Sequence, residues 1–178
     1  MKIKLTLFII IAAASVAANA QTARELYLSA PTSVLNKTAE QRTSSIASET
    51  ATHLKLTPTA ESKGEFKLVY QAKGESIVGL TTSNCDASDL RFWSVRGDKW
   101  SDATKRVIKP LGKSDVVEIL KASPAEISSL EQKIEIAYFY KFAADTNSLE
   151  LIARKQGSCD IAGTVYNYAF DGKRYTRK

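Results

Sequence analysis

From Glu65 onward apolar and polar residues alternate with a period of two, broken by short glycine-containing turns, and that pattern commits most of the chain to half-buried antiparallel strands. Phe66-Lys67-Leu68-Val69-Tyr70 turns at Lys73-Gly74-Glu75 into Ser76-Ile77-Val78-Gly79-Leu80-Thr81. Leu90 to Val95 passes through Arg96-Gly97-Asp98-Lys99 to Trp100, a hairpin signal. Lys133 to Ala143 places Ile134, Ile136, Tyr138, Tyr140 and Phe142 on one face, and Asp145-Thr146-Asn147-Ser148 returns it as Leu149 to Arg154. Val165 to Phe170, an Asp171-Gly172 turn and Lys173 to Thr176 close the series.

Helical signals are fewer. Thr22 with Glu25 fits a capping box for a helix over Thr22 to Leu28, which Pro31 ends. A second helix is expected over about Ser33 to Ser48, with a thin apolar face of Val34, Leu35 and Ile46. Val116 to Leu120 fits either a strand or a first helical turn. Ser123-Pro124-Ala125-Glu126 has the cap, proline and acid that open an inserted helix. At 178 residues this amounts to one α+β domain, with short N-terminal helices packed on a mainly antiparallel sheet. Its expected parts are a signal peptide over 1–20, a helical and Ser/Thr-rich segment over 21–62, and a β-rich part of the same domain over 63–178. Thr38 to Ser62 is expected to be the flexible stretch, and no fixed-period repeat or Pro-rich linker divides the chain.

The first residues carry an export signature. Lys2 and Lys4 precede an apolar run from Leu5 through Ala14, and Ala18-Asn19-Ala20 supplies the small residues of a cleavage site before Gln21. The mature chain is then expected in the periplasm or outside the cell, spanning no membrane after cleavage. No cysteine follows the cleavage point, which leaves no lipoprotein signature. The whole chain has 25 Lys and Arg against 19 Asp and Glu; removing Lys2 and Lys4 leaves 23 minus 19, or +4. Residues 21–152 hold 17 cations and 17 anions, whereas 153–178 hold six and two, so the excess is local.

An oxidising destination makes Cys85 and Cys159 the one available disulfide, closing a loop of about 75 residues. With one His and two Cys, the chain lacks the ligands for a zinc or iron-sulfur centre, and no cofactor or metal is implied. His53 is the only imidazole that could serve a hydrolase, and without a Gly-x-Ser-x-Gly elbow it reads as a surface or partly buried residue. Asp86 and Asp89 with Ser83, Asn84 and Ser88 form an oxygen-rich loop that lacks the glycine and distal Glu of a calcium loop, and it reads as a solvated turn. Arg96-Gly97-Asp98 reads as a turn rather than an adhesion tripeptide.

Aromatic and basic residues near the last hairpins are the better candidates for contact. Trp93 and Trp100 flank one hairpin tip, while Lys173, Arg174, Tyr175 and Arg177 form another. Tyr138 with Tyr140, and Tyr166 with Tyr168, share strand faces and suit core packing. The partner classes that fit are an envelope protein, a glycan or an acidic surface. Dispersed charge and a secreted address argue against nucleic acid.

Gln21-Thr22-Ala23-Arg24-Glu25-Leu26-Tyr27-Leu28-Ser29-Ala30-Pro31, then Leu54-Lys55-Leu56-Thr57-Pro58 and the closing Tyr166-Asn167-Tyr168-Ala169-Phe170-Asp171-Gly172-Lys173-Arg174-Tyr175, resemble a family of secreted Bacteroidales proteins of unknown function. The resemblance implies an envelope or extracellular location and an α+β domain, and it carries no activity. The expected function is a non-enzymatic binding or interaction module. The alternatives are a hydrolytic enzyme with an unadvertised carboxylate site and a structural or assembly factor of the envelope.

Overall fold

The computed structural model describes residues 21–85, 87–123, 138–155 and 158–178. Three short helices come first: α1 (Ala23–Ser29), α2 (Thr32–Leu35) and α3 (Ala39–Ser45). Capping boxes start α1 at Thr22 and α3 at Thr38, with Glu25 and Gln41 reaching back to the cap backbone. The one helix expected over Ser33 to Ser48 is therefore two. Asn36 takes a left-handed backbone, φ 51°, which ends α2, and Thr38 nucleates a fresh turn. From Ile46 the chain enters strands β1 (Ile46–Glu49) and β2 (His53–Leu56), so the stretch expected to be flexible carries regular structure.

The first sheet continues through β3 (Lys63–Ala72), β4 (Glu75–Ser83), β5 (Ser88–Arg96) and β6 (Lys99–Asp102), each antiparallel to the strand before it. Two helices follow, α4 (Thr104–Val107) and α5 (Lys113–Ala122), so Val116 to Leu120 is helical. The helix expected to open at Ser123-Pro124 and the start of the strand expected from Lys133 lie outside the described residues. The second sheet is another meander, β7 (Tyr138–Phe142), β8 (Ser148–Arg154), β9 (Ile161–Phe170) and β10 (Tyr175–Arg177). The fold is α+β, with short helices and antiparallel sheets, as the alternation predicts.

Period-two alternation assigns the two faces of the first sheet to different cores. Leu54, Leu56, Phe66, Leu68, Val78, Trp93 and Val95 face the helices, where Leu26 and Tyr27 of α1 meet them. Arg42, 4% exposed, donates to the carbonyls of Lys37 and Leu28 and so ties α3 to the end of α1. On the other face Val69, Ile77 and Phe92 meet Phe142, Leu149, Leu151 and Tyr175 of the second sheet. A bulge at Val69 shifts the register, so Tyr70 lies opposite Ile77 and its ring meets Phe170 at 6.1 Å.

Close approach of the sheets depends on Gly79. A Cβ there would stand 2.6 Å from both Phe142 Cζ and Phe92 Cε1, and those rings pack edge to face at 6.0 Å. Beside this contact β7, at the edge of its sheet, meets two polar side chains from β3. Glu65 accepts from the Phe142 amide at 2.6 Å, and Lys67 donates to the carbonyls of Ala143 and Ala144 at 3.1 and 2.7 Å.

The meanders β3–β6 and β7–β10 share one plan. In each a cysteine follows the second strand, and a glycine with positive φ, Gly97 at 54° or Gly172 at 97°, turns the third strand toward an aromatic, Trp100 or Tyr175. The repeat is one of topology, with too little identity to surface as a sequence period. Cys85 and Cys159 occupy matching places, 74 residues apart, at disulfide distance with Cα atoms 4.8 Å apart.

Candidate functional site

The basic C-terminal hairpin does not stand alone. Val107 of α4 and Ile108 just after it bury themselves in the inter-sheet core, which leaves Lys105, Arg106 and Lys109 facing solvent. Across from them Asp171 fixes the last turn, its Oδ1 accepting from the amides of Arg174 and Lys173 at 2.9 and 2.8 Å, bonds that hold its carboxyl below the usual range. Arg174 and Arg177 thereby reach the same groove, a hollow of about 670 Å³ floored by Pro110, Leu111, Tyr168 and Tyr175. Five cations line it, with Asp115 as the one acid.

Two of the five cations are committed. Arg177 bonds Asp115 at 2.5 Å and lies over the Tyr166 ring at 3.4 Å. The Gly112 amide and then Arg177 hold the Asp115 carboxyl low. Arg106 pairs with Glu75 at 3.1 Å, and the Ser94 hydroxyl with Arg96 and Arg106 holds Glu75 down at about 2. Among the described residues Lys105, Lys109 and Arg174 make no ion pair. Three free cations with one neutralised acid form a positive surface, and long-range attraction of anions follows. Below them the Tyr175 hydroxyl is buried without a hydrogen-bond partner among the described residues, and burial pushes its pKa up.

The two tryptophans fall elsewhere. Trp93 is 6% exposed beneath the helices, with Trp100 edge-on to it at 6.3 Å, and Tyr175 is 4% exposed between the sheets. Lys173 and Arg174 are exposed at the turn. Trp93 and Trp100 thus share the helix-side core, Tyr175 with Arg174 and Arg177 lines the groove, and Lys173 is exposed outside it. What the hairpin alone could not disclose is the contribution of Lys105, Arg106 and Lys109. Four cations without an acid over 105–113 were the available signal, masked by the neutral total of residues 21–152.

The hydrolase candidate is buried. His53 is 3% exposed, in β2 opposite Lys67, with Nε2 3.8 Å from Glu65 Oε1 and without a hydrogen-bond partner among the described residues. Burial, with Lys67 and Lys55 nearby, lowers its pKa to about 4. This imidazole is neutral and closed to solvent, more deeply buried than the surface or partly buried residue the sequence suggested, and cannot reach a substrate without opening the sheets. Asp89 pairs with Arg91 at 2.8 Å, while Asp86 lies outside the described residues. Among the described residues no three of His, Cys, Asp and Glu gather as metal ligands would, and no helix is long and apolar enough to cross a membrane. Comparison with protein-family models, with curated proteins and with solved structures found no match.

Proposed function

We propose that this protein is an exported, non-enzymatic binding module that takes an acidic partner in the groove between α4 and β10. The observation that carries the proposal is the convergence of Lys105, Lys109 and Arg174, without ion pairs among the described residues, over a floor of Pro110, Leu111 and Tyr175. Export rests on the basic, apolar and small-residue order of residues 1–20 and on the resemblance to secreted Bacteroidales proteins. An acidic envelope protein, an acidic glycan or another acidic surface supplies the complementary charge. A hydrolytic site would need acids open to substrate, and Asp115, engaged by Gly112 and Arg177, is not so placed.

The test is capture from envelope fractions over a salt series. Lys109→Glu with Arg174→Glu removes two free cations and leaves the Arg177–Asp115 pair in place. The proposal expects that variant to capture less and to lose most of its salt dependence. Equal capture at every salt concentration removes the groove from contention.

A further inference from the structure

A second hollow, separate from the basic groove, opens where β7 stands over the inner face of β2, β3 and β4. Its volume is about 450 Å³, within the range of small-molecule sites. Phe139, Tyr140 and the exposed Ile161 give it apolar walls, and Ile161, 60% exposed, is a large aliphatic side chain left in water.

The polar groups around this hollow are uneven in sign. Lys55, Lys63 and Lys141 are exposed at its rim and, among the described residues, make no ion pair. Arg154 adds a fourth cation, its guanidinium 4.5 Å from the Phe139 ring centroid and its Nη1 donating to the Cys159 carbonyl at 3.3 Å. Against them stands Glu65, whose Oε2 is occupied by the Phe142 amide. Apolar walls ringed by cations match a ligand with an apolar body and one anionic end.

We infer that this hollow between β7 and the inner face of β2–β4 binds a medium-chain alkyl carboxylate, its tail against Phe139, Tyr140 and Ile161 and its head among Lys55, Lys63 and Lys141. The chain length follows from the volume, which suits about ten to twelve carbons rather than a long-chain lipid. This site goes beyond the proposed function and does not depend on it.

Calorimetric titration of the full chain with dodecanoate, below its micellar concentration, tests the inference. Dodecanoate is expected to bind saturably, and dodecanol and dodecyltrimethylammonium at least about tenfold more weakly. Lys55→Glu with Lys141→Glu, both exposed changes, is expected to weaken dodecanoate about tenfold and leave dodecanol unchanged. Ile161→Glu attacks the wall independently and should weaken both ligands. Absence of saturable binding overturns the inference, as does equal affinity for the alcohol and the acid. Loss of binding in Lys109→Glu with Arg174→Glu, but not in Lys55→Glu with Lys141→Glu, overturns it too, by placing the carboxylate in the basic groove.

Discussion

Gly79→Ala probes how the two sheets meet. The added methyl would stand 2.6 Å from Phe142 Cζ and from Phe92 Cε1, inside any normal carbon contact. Neither ring has room to withdraw: Phe142 is 1% exposed, and Phe92, fully buried, is held from a third side by Tyr175 at 5.5 Å. Overpacking of this kind costs about 1–3 kcal/mol. Replacing glycine also restricts the unfolded chain, which returns about 0.4–1 kcal/mol. The net expectation is a loss of about 1–2 kcal/mol, or about 2–8 °C in Tm for a chain of this size. Thermal and urea melts followed by circular dichroism measure it. The mechanism also predicts coupling: Phe142→Leu removes one of the clashing atoms, Phe142 Cζ, so the double variant should lose less than the sum of the single changes by about 0.5 kcal/mol or more. An unchanged or raised Tm in Gly79→Ala, or additivity in the cycle, refutes the close approach.

Other expectations concern buried groups and the cysteines. His53 has a folded pKa near 4 against about 6.5 when unfolded, so its contribution is complete above about pH 6.5 and is lost as pH falls toward 4. Between pH 7 and 4.5 that amounts to about 2–3 kcal/mol, opposed in part by Glu65, whose carboxyl burial raises. Urea midpoints of His53→Gln should therefore fall less over that range than those of the parent, and parallel curves would remove His53 as the source. Lys67→Met should raise the His53 pKa, because Lys67 is one of the positive charges that lower it, and NMR titration of the single imidazole reads this directly. Non-reducing mass spectrometry should show Cys85 joined to Cys159, and Cys85→Ser with Cys159→Ser should cost up to about 4 kcal/mol for a loop of this length. Alkylation of both thiols without reductant would contradict the pairing.

The hairpins at Lys73-Gly74, Gly97 and Gly172 were legible because each turn needs positive φ, and glycine in a polar gap between alternating runs advertises that need. The inter-sheet face of β3 was less legible. Lys67 and Glu65 are charged positions in an alternating strand, yet both point toward the second sheet, where the backbone of Phe142, Ala143 and Ala144 satisfies them. Alternation distinguishes two faces without saying which meets water when both are covered. β1 and β2 were hidden for a different reason, being four residues each in Ser/Thr-rich surroundings, with their order supplied by pairing of β1 to β2 and of β2 to β3 and by packing of β2 on α1. The basic groove was half visible: Arg174 and Arg177 stood out in a charged tail, and Lys105 and Lys109 joined them only when α4 folded beside β10.

The hydrogen bonds that Glu65 and Lys67 make to β7 bear on solubility as well as on stability. An open strand edge is a template on which another chain can extend a ladder, and the open edge of β7 belongs to the aromatic, β-prone run Tyr138 to Phe142. With the Phe142 amide and the Ala143 and Ala144 carbonyls already taken, an incoming strand meets a buried cation and a carboxylate instead of free backbone groups. The pair acts as a gatekeeper against edge-to-edge polymerisation while the second sheet waits to dock on the first.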